Sequence, residues 1–152
     1  VTPAAGARVM DLQEPTSKMS KSSDSDAGCM FLLDDPKAIE KKFKRAVTDS
    51  DAEVRYDVAA KPGVSNLLDI LAAAGGGTVE SLAEQYSQYG PLKGDAASAV
   101  IAMLEPIQKR YRELMDDRGE LQRLLNVGAV RAQEQAAETL QRAYKAIGLL
   151  PR

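Results

Sequence analysis

Two lysines three residues apart, Lys18 and Lys21, lie in the run Lys18-Met19-Ser20-Lys21-Ser22. On a loop, lysines at this spacing can set their ammonium groups against adjacent phosphates while serine hydroxyls and backbone N–H groups donate further hydrogen bonds. Each charge-assisted bond contributes about 1.5–3 kcal/mol net, enough to stabilise charge building on a leaving pyrophosphate. Five such residues also read as an ordinary solvated loop, and for a generic pattern that plainer reading is the default. Other common chemistries lack their residues. The chain has no histidine and one cysteine, Cys29, so within it there is no His-based acid/base catalysis, no Cys/His metal site and no internal disulfide.

The elements that must carry the loop follow from composition and period. With 152 residues, 44% hydrophobic and 28% charged, the chain matches one globular domain. No apolar run approaches the ~18 residues of a membrane span, and nothing in the first residues given reads as a signal peptide. A start at Val1-Thr2-Pro3 instead of Met suggests a processed product or a piece of something longer. Twenty basic against 22 acidic residues give a net charge of -2, so nucleic acid would have to be held by local patches.

Composition shifts near position 36. Before it, Ala7 to Leu12 and Cys29 to Leu33 read as short strands or extended segments around a polar loop. After it the helical period takes over. Asp35-Pro36 is an N-cap and first-turn proline for a helix with Ile39, Phe43 and Ala46 or Val47 on one side and Lys37, Lys41, Lys44 and Arg45 on the other. Ser65 is the expected cap of a nearly all-apolar helix ending at Gly75-Gly76-Gly77. Thr78 caps the next, with Val79, Leu82, Ala83 and Tyr86 in register, and Gly90-Pro91 is expected to close it. A stripe from Ala97 through Val100, Ile101, Leu104, Ile107 and Tyr111 to Leu114 passes Pro106, where a kink and not a break is expected. Leu121, Leu125, Ala132, Ala136, Leu140, Ala143 and Ile147 mark a last helical region, with Gly128 as a candidate interruption and Gly148 as its stop. The fold class is mainly α, an antiparallel helix bundle over the larger part of the chain. Asp34-Asp35 is read as a helix start and not as a metal pair. Tyr86, Tyr89, Tyr111 and Tyr144 are read as packing residues more than base-stacking platforms.

The pentapeptide resembles the KMSKS signature of class I aminoacyl-tRNA synthetases. Gly6-Ala7-Arg8-Val9-Met10, Asp11-Leu12 and Pro15-Thr16 around it resemble the last strand and signature loop of the bacterial tryptophanyl-tRNA synthetase family. Leu32 to Pro36, Ala46 to Ser50, Arg55 to Asp57, Lys61-Pro62-Gly63, Ser65 to Leu68, Pro106-Ile107 and Arg110-Tyr111 extend the likeness over nearly the whole chain.

That resemblance implies residues 1–35 as the end of a Rossmann-type catalytic domain and 36–152 as a helical domain, linker helix and anticodon-binding bundle. It implies ATP-dependent formation of tryptophanyl-adenylate with Mg2+, transfer to tRNA(Trp), and a cytoplasmic homodimer; the residue types themselves lead us to expect no metal site in this chain. Lys18 and Lys21 would be catalytic and hold the ATP phosphates, Met19, Ser20 and Ser22 would shape the loop, and Val9, nine residues before Lys18, would meet the adenine through its backbone. Lys109, Arg110, Arg112, Arg118 and Arg123 would track tRNA phosphates, or else serve as partners of nearby glutamates along their own helices. The family's His-containing HIGH motif and its indole-recognising acid cannot lie here, so this chain alone should be inactive. Ser23 departs from the family, which commonly has an acidic residue directly after the signature. Two alternatives stay open: a relative of the tyrosyl enzyme, and a non-catalytic helical RNA-binding module.

Overall fold

A computed structural model describes residues 6–22 and 25–149; Ser23 lies outside them. Five helices follow one another: α1 (Pro36–Lys44), α2 (Pro62–Gly75), α3 (Val79–Ala83), α4 (Tyr89–Asp116) and α5 (Arg118–Ala146). The chain is mainly α, as expected. It divides into two compact units, Val1–Gln108 and Lys109–Arg152. The division does not coincide with the composition shift at 36, because the extended segment before it packs into the same core as the helices after it: Leu12 joins Ile39, Phe43, Val64, Leu68, Leu92 and Val100.

Local signals explain most of the helix ends. Asp35 caps α1 by accepting the Ala38 N–H at 2.9 Å, and Thr78 and Ser81 form a reciprocal capping box on α3. Past α2, Gly76 and Gly77 take φ of 86° and 95°, conformations that side chains resist. Along α1, Ile39 and Phe43 are buried while Lys37, Lys41, Lys44 and Arg45 face solvent. Asp34, read as part of a helix start, accepts from Lys42 at 2.6 Å and from the Phe31 N–H at 3.0 Å.

Other expectations are corrected. Among the described residues the two candidate strands form no ladder, only an isolated antiparallel bridge between Met10 and Lys18. Ser65 is no cap: α2 starts at Pro62, and Ser65 is buried within it, accepting the Asp57 N–H at 2.9 Å. Gly90-Pro91 does not close a helix. Both sit in the first turn of α4, where a missing N–H costs nothing; α3 ends at Ala83, so Tyr86 lies beyond it. Gly128 does not interrupt α5, whereas α4 does run through Pro106 without a break, as expected. The α4 stripe is buried through Leu104 and then emerges, with Ile107 and Tyr111 exposed. In the second unit Asp117 caps α5 through the Glu120 N–H at 2.9 Å, and Gly148 follows it at φ 74°. No described residue of α5 is buried.

Candidate nucleotide site at the signature loop

The signature loop leaves and rejoins one short extended segment. The Met19 N–H donates to the Val9 carbonyl at 3.1 Å, and the Asp11 N–H to the Ser17 carbonyl at 2.9 Å. Lys18 therefore stands opposite Met10, its backbone fixed while its side chain is exposed. The base is closed a second time where the Leu12 N–H donates to Gly28 O at 2.9 Å, and the Val47 N–H to Leu12 O at 2.7 Å. Gly28 is required there: a Cβ would fall 1.8 Å from Asp11 Oδ1. That oxygen, on a buried carboxylate, accepts from the Gln13 and Glu14 N–H groups at 2.8 and 3.0 Å and shapes the turn leaving the segment.

Within the loop, Met19 is half-buried and its Sδ lies 3.5 Å from the Met30 N–H, so this side chain anchors the loop. Ser20 Oγ accepts the Ser22 N–H at 3.3 Å, a local turn that follows the exposed Lys18 and contains the exposed Lys21. A cleft of about 300 Å³ lies over the base, bounded by Asp11, Gln13, Ser17, Lys18, Ser20 and Gly28.

The ion pairs of the described residues join Lys42 to Asp34, Arg55 to Glu53 and Asp57, Lys61 to Asp49 and Asp51, Arg110 to Glu113, and Arg123 to Glu120. Among the described residues Lys18 and Lys21 form no ion pair, and both side chains are exposed. Of the basic residues considered for RNA, Arg110 and Arg123 are engaged within their own helices, Arg123 through two bonds of 2.6 and 2.9 Å to Glu120. Lys109, Arg112 and Arg118 are exposed and form no ion pair among the described residues. No group of three acidic, cysteine or histidine side chains among the described residues could hold a metal ion.

Two polar groups behind the loop escaped sequence reasoning. Lys61 is 1% exposed, with Nζ 2.9 Å from Asp49 Oδ1, 3.2 Å from Asp51 Oδ2 and 3.3 Å from the Tyr89 hydroxyl. It ties the 46–57 loop to the starts of α2 and α4, and hydrogen bonding to Asp49 holds its pKa above the ordinary lysine value. Asn66, 3% exposed, reaches Met10. Neither carries a local signal, since the partners of Lys61 lie 10 to 28 residues away and the partner of Asn66 lies 56 residues away. Tyr86, half-buried, donates to Asp95 at 2.8 Å, and burial helps push its hydroxyl up to about 12.

A short extended segment, a loop pinned to it that exposes two lysines, and a helical body are consistent with one class of protein. The chain belongs to the class I tRNA synthetases of the tryptophan and tyrosine kind: the family model "tRNA synthetases class I (W and Y)" matches residues 2–105. Within that family it is similar to proteins named for tryptophan. It is 52% identical over 148 residues to "Tryptophan--tRNA ligase 1" of Streptomyces avermitilis, covering 97% of this chain and 45% of that protein. It is also 52% identical over 151 residues to "Tryptophan--tRNA ligase" of Mycobacterium leprae, covering 98% and 44%. The chain thus spans under half the length of these curated relatives. Among solved structures, the tryptophanyl-tRNA synthetase from Mycoplasma pneumoniae superposes with a TM-score of 0.85 at 31% identity, over 99% of this chain and 46% of that one. The synthetase from Campylobacter jejuni complexed with ADP and tryptophane gives 0.65 at 25% identity, over 93% and 44%.

Proposed function

We propose that this chain is the C-terminal part of a tryptophan–tRNA ligase and supplies the signature-loop side of its ATP site. The observation that carries the reading is the loop itself, held at its base by backbone bonds and exposing Lys18 and Lys21, which form no ion pair among the described residues. In the full-length protein the carboxylate oxygen of tryptophan attacks the α-phosphorus of ATP, a P–O bond forms, and the α–β bridging bond breaks to release pyrophosphate. Lys18 and Lys21 hold the β- and γ-phosphates and offset the negative charge that grows as pyrophosphate departs. Ser20 and Ser22 set the turn around Lys21, Met19 anchors the loop, and Val9 meets the adenine through its backbone. The C. jejuni relative's complex with ADP and tryptophane supports an adenine nucleotide and this amino acid. Mg2+ comes with ATP as part of the substrate. The adenylate's aminoacyl group then passes to tRNA(Trp), whose phosphates meet Lys109, Arg112 and Arg118; Arg110 and Arg123 must first give up their glutamates. Residues 1–35 close the Rossmann-type domain and 36–152 form the helical domain of a homodimer working in the cytoplasm. No described helix is long and apolar enough to cross a membrane.

ATP–pyrophosphate exchange by the full-length protein tests this. Exchange should require tryptophan, fail with tyrosine, and be absent from residues 1–152 alone. Exchange driven by tyrosine would transfer the assignment to the tyrosyl branch, and no amino-acid-dependent exchange would leave the helical RNA-binding module as the better reading.

A further inference from the structure

The backbone of Met10 presents its two polar groups away from the signature loop. In an antiparallel pairing, peptide groups along a strand alternate between its two edges. The Val9 carbonyl and the Asp11 N–H bond to Met19 and Ser17 on the loop side, so the Met10 N–H and carbonyl point to the other edge. No strand lies there among the described residues. Instead the side-chain amide of Asn66, in the second turn of α2 and 56 residues away in sequence, meets both: Oδ1 accepts the Met10 N–H at 2.9 Å and Nδ2 donates to the Met10 carbonyl at 2.9 Å. Asn66 is 3% exposed, so water cannot readily replace either bond, and an unmade buried bond carries the full desolvation penalty.

We propose that Asn66 is a positioning residue of the nucleotide site: by taking the place of a neighbouring strand at Met10, it fixes the register in which Val9 and Lys18 face ATP. This rests on the ligase reading. No side chain of α2 needs to touch the nucleotide; the effect passes through one residue's backbone, with Val9 beside it and Lys18 across from it. Amides suit the task because one planar group supplies an acceptor and a donor at the spacing of a peptide edge. A carboxylate would keep the acceptor and set a charge against the Met10 carbonyl.

In the full-length protein, Asn66→Ala and Asn66→Asp should raise the KM for ATP by about tenfold, the equivalent of one strong buried bond, while the KM for tryptophan stays within about twofold. Asn66→Asp should recover part of its ATP affinity as pH is lowered, since a protonated carboxyl can again both accept and donate; the wild type should show no such recovery. If Asn66→Ala does not fold, Asn66→Asp, which keeps the volume and one bond, carries the test. Unchanged ATP KM in a folded variant overturns the role, as does a uniform loss in both substrates with a lowered Tm, which marks Asn66 as structural only. If the wild type itself shows no tryptophan-dependent exchange, it is the ligase reading that has failed.

Discussion

Within Val1–Gln108, Phe43, Val64, Leu68, Leu92 and Ala96 are wholly shielded from solvent, and the buried Lys61, Ser65 and Asn66 all have partners. Within Lys109–Arg152, α5 has an apolar stripe of similar spacing, yet Leu125, Leu140 and Ile147 are 59, 49 and 70% exposed. Both regions are helical and both follow the helical period. What separates them is burial: in the first unit an extended segment and four helical stretches converge on one core, whereas no described residue of α5 is buried. The signature loop belongs to the first kind of structure. A phosphate-binding loop must keep its lysines placed within a fraction of an ångström while they remain exposed, and that demands a base whose every backbone group is occupied.

The contrast breaks if core substitutions cost the same in both units. Phe43→Ala, at a fully buried position, should destabilise the chain by about 3–5 kcal/mol. Leu125→Ala, at an exposed one, should change stability by no more than about 0.5 kcal/mol. Urea unfolding monitored by circular dichroism separates these; equal losses would show that α5 is packed as tightly as α1.

A smaller effect comes from the polar cluster behind the first unit's loop. Burial raises the Asp49 carboxyl, but hydrogen bonds from Lys61, Tyr89 and the Asp51 N–H outweigh it and hold it at about 2, against 3.8 for the free group. Its Oδ2 is buried with no hydrogen-bond partner. A carboxyl depressed in the folded state contributes stability that is complete above its unfolded pKa and lost as pH falls through the folded one. The contribution is about 2 kcal/mol, present above pH ~4 and gone below pH ~2. Asn in place of Asp49 should therefore lose that stability at neutral pH and show a flatter decline between pH 5 and 2. A stability gap between wild type and Asp49→Asn that stays constant across this window would refute the assignment.

How far the sequence speaks follows the range of each interaction. The Asp35-Pro36 start of α1, the glycines after α2, the Thr78 cap and the Lys18 to Ser22 loop depend on residues within a few positions of one another, and all were legible. Ser65, Lys61 and Asn66 were not. Ser65 is a cap residue by type, but α2 begins three residues earlier and its hydroxyl serves the Asp57 backbone. Lys61 finds Tyr89 28 residues on, and Asn66 finds Met10 56 residues back. The α5 stripe shows the converse: a period states which face of a helix can be buried, not that anything covers it.

The two units also divide the proposed labour, and one measurement probes that division at its centre. Tryptophan-dependent ATP–pyrophosphate exchange should be followed in the full-length protein carrying Lys18→Ala or Lys21→Ala, beside Arg142→Ala on α5 as an exposed cation outside any proposed contact. A lysine that stabilises charge in the transition state lowers the rate by about tenfold for each 1.4 kcal/mol lost. Both loop variants should therefore slow exchange by at least about tenfold with unchanged Tm, and Arg142→Ala should match the wild type. Wild-type exchange in both Lys18→Ala and Lys21→Ala would contradict the account, leaving the loop an ordinary solvated turn on a well-packed helical body.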